Sequence, residues 1–130
     1  MKAISVRTEV AEGLVGITDR IQAAVAEMGV EMRAVLVYCP HTSAGVTINE
    51  SADPDVATDV RDALSAIVPE GIRWRHAEGN SPAHLMASMV GSSVTIPVED
   101  GKLKLGRWQG VSLCEFDGPR TREIWLQALS

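Results

Sequence analysis

Hydrophobic and polar positions change period several times along this chain, and each change marks an element. Over residues 3–10, Ile4, Val6, Thr8 and Val10 take one parity while Ser5, Arg7 and Glu9 take the other. This alternation predicts a strand with one buried face. Beyond Gly13 and Gly16, Ile21, Ala24, Val25 and Met28 recur at helical spacing. Thr18 is placed to cap that helix, Asp19 favours its first turn, and Gly29 stops it. Residues 32–39 read as a strand, a Pro-His-Thr-Ser turn follows, and residues 45–50 read as another. Val35, Val37, Cys39 and His41 share one parity, as do Val46, Ile48 and Glu50. A histidine and a glutamate therefore each end an otherwise apolar row.

Asp53 before Pro54 is an N-cap followed by proline at the first helical position, with Asp55 favourable to the helix dipole. Val56, Val60, Leu64 and Ile67 continue at helical spacing until Pro69 and Gly71. Ser81-Pro82 repeats the cap-then-proline signal, and Leu85, Met86 and Met89 carry a helix that Gly91 closes. From Ser92 onward the chain turns to strands: VTIPV, a tight Asp100-Gly101 turn, KLKLGRWQGVSLCEF, a turn at Asp117-Gly118-Pro119, then TREIWLQAL. These are expected as successive antiparallel hairpins. In the last, Glu115 is expected directly across the ladder from Arg122, Leu113 from Ile124, and Val111 from Leu126. Helices cluster early and strands late, which predicts an α+β fold with a mostly antiparallel sheet rather than a parallel βαβ array.

Composition narrows the function classes. At 130 residues and 45% hydrophobic, the chain is expected to form one domain over 1–130 with a core of small aliphatic side chains. A net charge of −5 excludes nucleic-acid binding by broad phosphate neutralisation. The N-terminus lacks the apolar core of a signal peptide, and no run reaches the roughly 18 apolar residues of a membrane span. A cytoplasmic protein with neither a nucleic-acid nor a membrane partner is expected. Cys39 and Cys114 lack CxxC spacing and are expected as buried, reduced thiols.

The candidate chemistry lies at element ends. In RHAEGNSPAHL, His76 precedes a helix and His84 lies in its first turn. The free N–H groups there, with Asn80 and Ser81, are placed to hold an anionic group such as phosphate. Neutral imidazoles ligate metals, so His41, His76 and His84 with an open fourth position would describe a catalytic site for a divalent ion, zinc or magnesium. The spacing from His76 to His84 matches no common zinc motif, and each histidine alone reads equally as a surface or hydrogen-bonded core residue. The Glu115–Arg122 pair, with Arg120 beyond, ends an apolar row as the mouth of a polar cavity does, or as an ordinary rim pair does. Gln109, beside Gly110, is placed to face a ligand that approaches the backbone closely. Trp108 is expected in the core or an interface, and Trp74 and Trp125 in packing.

Taken in order, HTSAGVTINESADPDV, RHAEGNSPAHL, GKLKLGRWQG and EFDGPRTR resemble the YjbQ family, known as secondary thiamine-phosphate synthases. The resemblance runs over nearly the whole chain. It implies a β-sandwich decorated with about three helices, assembled as a homotrimer with the site near a subunit boundary. It also implies a weak ability to join a pyrimidine diphosphate and a thiazole phosphate into thiamine phosphate with release of pyrophosphate. Its motif positions include Glu78 and Trp108. Carried onto this chain, His41, Glu50, His84, Glu115 and Arg122 are the catalytic candidates. Thr42, Ser43, Asn80, Gln109 and Arg120 are the candidates for holding a phosphorylated small molecule.

Two classes of function follow. In a transferase, Arg120, Arg122 and a divalent ion would stabilise the departing pyrophosphate, while Glu50 and Glu115 orient the histidines. In a metal-assisted hydrolase, the histidines would activate a water with Glu50 or Glu115 as base; a ligand-binding protein would use the same site without turnover.

Overall fold

The structure is a computed structural model that describes residues 1–130. Its strands are β1 (Lys2–Arg7), β2 (Gly13–Gly16), β3 (Ala34–Tyr38), β4 (Ala44–Glu50), β5 (Ser93–Glu99), β6 (Lys102–Leu103), β7 (Gln109–Glu115) and β8 (Thr121–Leu129). Its helices are α1 (Thr18–Met28), α2 (Pro54–Ile67) and α3 (Ser81–Val90). The fold is α+β, with two antiparallel sheets: a five-stranded one in the order β1-β8-β3-β5-β6 and a three-stranded one in the order β2-β7-β4.

Alternation builds the core as expected. The larger sheet turns Val6, Val35, Val37, Ile96, Ile124 and Leu126 inward, and the smaller sheet turns Val46, Val111 and Leu113 to meet them. Helix α1 adds Ile21, Ala24 and Val25 to the same core. Cys114 on the opposite face of β7 and Phe116 just beyond the strand meet Ala83, Met86 and Ala87 of α3, forming a second, smaller core. Both cysteines are free and buried, and burial pushes the Cys114 thiol up to about 12.

The local signals hold with specific exceptions. Asp53 caps α2, accepting from the Asp55 N–H at 2.9 Å, with Pro54 next in line. Thr18 is not a cap: Ile17 holds that position, and the Thr18 hydroxyl instead accepts from the Val111 N–H at 2.8 Å, pinning α1 to β7. Asn80, not Ser81, occupies the N-cap of α3, and it makes no capping bond with its side chain. The short β2, only four residues long and flanked by glycine at both ends, carries too little alternation to announce itself.

The largest departure concerns the last third. Only β5 and β6 form a hairpin, through Val98↔Leu103 and Glu99↔Lys102. β7 then joins the other sheet, pairing with β2 and β4, while β8 pairs with β1 and β3. No β7–β8 ladder exists. The inward rows of both strands nevertheless lie in one core, so the residues expected side by side meet face to face across the sandwich. Parity shows which face of a strand is buried; it does not show which sheet the strand joins.

On the outer face of the larger sheet, Tyr38 and Trp125 stack with ring centroids 5.8 Å apart and Tyr38 is exposed. Trp74 and Trp108 are also exposed, so the expectation of packing fails for Trp74 and that of core burial fails for Trp108. No helix is long and apolar enough to cross a membrane.

Candidate functional site

The turn between β3 and β4 carries His41, Thr42 and Ser43, and α3 carries His84 beside it. His41, Thr42 and His84, with Ala87, Ser88 and Ser92, line an open cleft of about 330 Å³, while Ser43 is buried behind it. Helix α3 seats closely against β4 because Gly45 has no Cβ: one built there would lie 2.6 Å from the Gly91 carbonyl oxygen.

Each histidine has a distinct environment. His84 Nδ1 lies 2.8 Å from the Thr42 carbonyl oxygen. A carbonyl only accepts, so Nδ1 carries a proton, and in the neutral ring Nε2 keeps its lone pair. His41 is the reverse case: its Nε2 accepts from the Glu123 N–H at 2.9 Å. The ring thereby takes the place of a ladder carbonyl where β3 has ended beside β8. Burial, followed by the charge of Arg122, holds His41 below its ordinary pKa, which keeps it neutral. His76 lies on the exposed segment before α3, its ring edge-on to that of His84 at 5.4 Å between centroids.

The three histidines do not form the expected metal site. His41 has spent its free lone pair on a backbone amide, and no group of three or more histidine, cysteine or acidic side chains is arranged to hold an ion. The residues of one chain do not fit a three-histidine centre.

Glu115 and Arg122 are beyond the reach of a ligand. Both are buried, at 0% and 2% exposure. Arg122 Nε donates to Glu115 Oε1 at 2.9 Å, and its Nη2 donates to Glu115 Oε2 and also to the Ser43 carbonyl and hydroxyl oxygens at 3.2 and 3.0 Å. Burial pushes the Glu115 carboxyl up, but the bonds from Arg122, Thr8 and the Asp117 N–H together pull it below its ordinary value. The pair is ionised and structural in its contacts, holding the turn that bears His41 and Thr42. Ser43 is likewise buried.

Arg120 is the accessible cation of this region, its side chain about half exposed and tied to Asp117 through Nε to the carbonyl at 2.8 Å and Nη2 to the carboxylate at 3.0 Å. Asn80 donates to the same carboxylate at 3.0 Å. That bond fixes the orientation of the amide, which leaves Asn80 Oδ1 buried with no partner. Thr8 and Asp117, neither of which was a site candidate, are thus part of the site; Thr8 read as an ordinary inward residue of an alternating row, and Asp117, within EFDGPRTR, read only as a turn former.

Glu50, Trp108 and Gln109 lie elsewhere. Glu50 pairs with Gln109 at one end of the β4–β7 ladder, whereas Ala44 pairs with Glu115 at the other. Six strand steps separate the ends by about 20 Å. Glu50 accepts from the Ala52 N–H, and Gln109 Oε1 accepts from the Gly106 N–H at 2.7 Å, closing its own loop. Trp108 is 56% exposed with the Arg107 guanidinium 4.8 Å from its ring centroid. Glu78 is exposed on the segment that carries His76.

Comparison with known proteins places the chain. The family model described as "UPF0047 protein YjbQ-like" matches residues 2–130. The UPF0047 protein YugU of Bacillus subtilis is 44% identical over 130 residues, covering 99% of this chain and 98% of that protein. A UPF0047 protein of Methanocaldococcus jannaschii is 46% identical over 124 residues, covering 95% and 90%. Among solved structures, a YjbQ/UPF0047-family protein of Clostridium acetobutylicum superposes with a TM-score of 0.93 at 45% identity, covering 99% of this chain and 100% of that one. A conserved hypothetical protein of Thermus thermophilus gives 0.91 at 42% identity, covering 99% and 100%. On sequence and architecture alike, the chain belongs to the YjbQ/UPF0047 family.

Proposed function

We propose that the chain is a transferase acting on phosphorylated small molecules at the His84 cleft, joining a pyrimidine diphosphate to a thiazole phosphate with release of pyrophosphate. The observation that carries this reading is the state of His84: its proton is committed to Thr42, and its other nitrogen is an acceptor on a ligand-sized cleft. His84 lies in the first turn of α3, and the half-exposed guanidinium of Arg120 is joined to the start of that helix through Asp117 and Asn80. In the reaction the thiazole nitrogen attacks the pyrimidinylmethyl carbon and the carbon–oxygen bond to the diphosphate breaks. Negative charge gathers on the leaving oxygens. Arg120 and the Ser81 N–H stabilise that charge; Pro82 has no N–H, and those of Ala83 and His84 already donate to the Asn80 carbonyl. His84 Nε2 orients a phosphate by accepting its remaining proton, and otherwise the site works by positioning. Arg122 and Glu115 act only through the turn they hold.

The separation of Glu50, Trp108 and Gln109 from the cleft supports assembly. In a homotrimer joined head to tail, one copy's Trp108 end approaches the next copy's cleft, and the motif becomes continuous across the boundary. The exposed Trp108 beside Arg107 has the composition of an interface anchor.

The test is formation of thiamine phosphate from its two precursors, with magnesium as counter-ion of the diphosphate, comparing the wild type with His84→Ala. Turnover lost in the variant supports the reading. Turnover that survives the substitution, or a wild type that only gains thermal stability with either precursor and makes no product, overturns it in favour of another reaction or of ligand binding.

A further inference from the structure

One closed circuit of hydrogen bonds surrounds His84. From its imidazole the path runs through the Thr42 carbonyl to the adjoining Ser43, whose carbonyl and hydroxyl accept from Arg122. Arg122 is locked to Glu115, and Glu115 Oε1 accepts from the Thr8 hydroxyl at 2.7 Å. Thr8 Oγ1 in turn accepts from the Arg120 N–H at 3.0 Å. Arg120 grips Asp117, Asp117 accepts from Asn80, and the Asn80 carbonyl accepts from the His84 backbone N–H at 3.2 Å. The circuit thus holds His84 by its ring and by its backbone at once.

Thr8 is the junction of the two arms. It is fully buried. Its hydroxyl lies 2.7 Å from Glu115 Oε1 and 2.9 Å from the Arg120 carbonyl oxygen, which also accepts from the Thr8 backbone N–H, and its single proton goes to the carboxylate. A hydroxyl to carboxylate bond is charge-assisted and stronger than one to a carbonyl. Asp117 has the matching place on the other arm, where its carboxylate joins Arg120 to Asn80. Buried hydrogen-bonded networks of this kind rigidify the groups they join, and in this circuit Asn80 Oδ1 alone is left buried without a partner.

We propose that Thr8 and Asp117 are positioning residues for His84: by closing the circuit they hold the Thr42 carbonyl and the first turn of α3 in the relative placement that commits the His84 proton to Nδ1. The inference deepens the proposed function, but its main test is independent of turnover. With only three histidines in the chain, long-range proton–nitrogen correlation spectra resolve the tautomer of each ring. Above neutral pH the wild type is expected to show His84 as a single Nδ1–H tautomer. Thr8→Val, which keeps the shape and removes the hydroxyl, is expected to give a mixture, and Thr8→Ser to restore the single form. Should Thr8→Val not fold, Asp117→Ala, at a partly exposed site, tests the other arm and is expected to give the same mixture. A wild type lacking the Nδ1–H form, or folded Thr8→Val or Asp117→Ala proteins that keep it unmixed, overturns the proposal. Where thiamine phosphate is made, a fall in kcat at unchanged KM in Thr8→Val, rescued by Thr8→Ser, is the kinetic counterpart. A wild type with no turnover refutes the transferase reading and leaves the spectroscopic test intact.

Discussion

Arg122 grips Glu115 across the interior of the sandwich, from β8 in one sheet to β7 in the other, with 3% and 0% of their side chains exposed. A buried pair of this kind is costly to break from one side, because the remaining charge stays in the core without a partner. Glu115→Ala or Arg122→Ala is expected to destabilise the fold by about 3–5 kcal/mol. Replacing both by apolar residues of similar volume is expected to cost far less than the two single changes added together. Urea unfolding of the four proteins completes the cycle.

Acid is expected to remove the contribution of Glu115. Its carboxyl lies below the ordinary value of 4.5 in the folded protein. The unfolded chain then binds its proton first, so the stability due to this group is fully present above that value and is lost as pH falls through the lowered one. In Glu115→Gln the acid limb of a stability-versus-pH curve is expected to be shallower.

His41 follows the same sign for a different reason. Its neutral form is favoured by burial and by Arg122, so its folded pKa lies below 6.5. Protonation of the unfolded chain wins as pH drops below that point, and stability falls as the pH passes down through the folded value. Proton NMR titration is expected to show His41 titrating below 6.5.

Gly45→Ala is expected to be destabilising by about 1–3 kcal/mol, as overpacking is. The added methyl meets the Gly91 carbonyl at 2.6 Å and Val90 Cγ1 at 3.1 Å. Because Gly91 also borders the cleft, the substitution is expected to displace α3 and, under the proposed function, to weaken binding of the pyrimidine diphosphate. Thermal unfolding and a titration with the pyrimidine diphosphate measure the two effects.

Trp108→Ala is expected to leave the unfolding of the isolated chain nearly unchanged, since the ring is 56% exposed. In the proposed trimer the same change removes an anchor. Sedimentation of wild type and variant over a dilution series is expected to show the variant dissociating at higher concentration.

Much of the fold was legible because its cues are local. Asp53-Pro54 opens α2, Gly29 and Gly91 close α1 and α3, and period-two rows mark β3, β4, β7 and β8. Sheet membership was not legible. Val111, Leu113 and Glu115 face inward whether β8 lies beside them or opposite them, so parity alone cannot separate a hairpin from a sandwich crossing. The site shows the same division. His84 and Arg120 stand out by residue type, whereas Thr8 and Asp117 matter only through partners 107 and 37 positions away in the chain. Glu50 and Gln109 are near the cleft in motif order and far from it along the ladder, a separation that only the β4–β7 register reveals.

Towards its end, from Leu113 to Glu115, strand β7 is covered on both faces, by the main core on one side and by α3 on the other. The amide hydrogens of that stretch therefore have no route to solvent short of opening both layers. Amides such as those of Leu113 and Cys114, whose neighbours β2 and β4 flank them on either edge, are the ones that global unfolding alone exposes. The cleft helix shares its packing with that strand through Ala83, Met86 and Ala87, so the cleft is expected to open together with the central sheet.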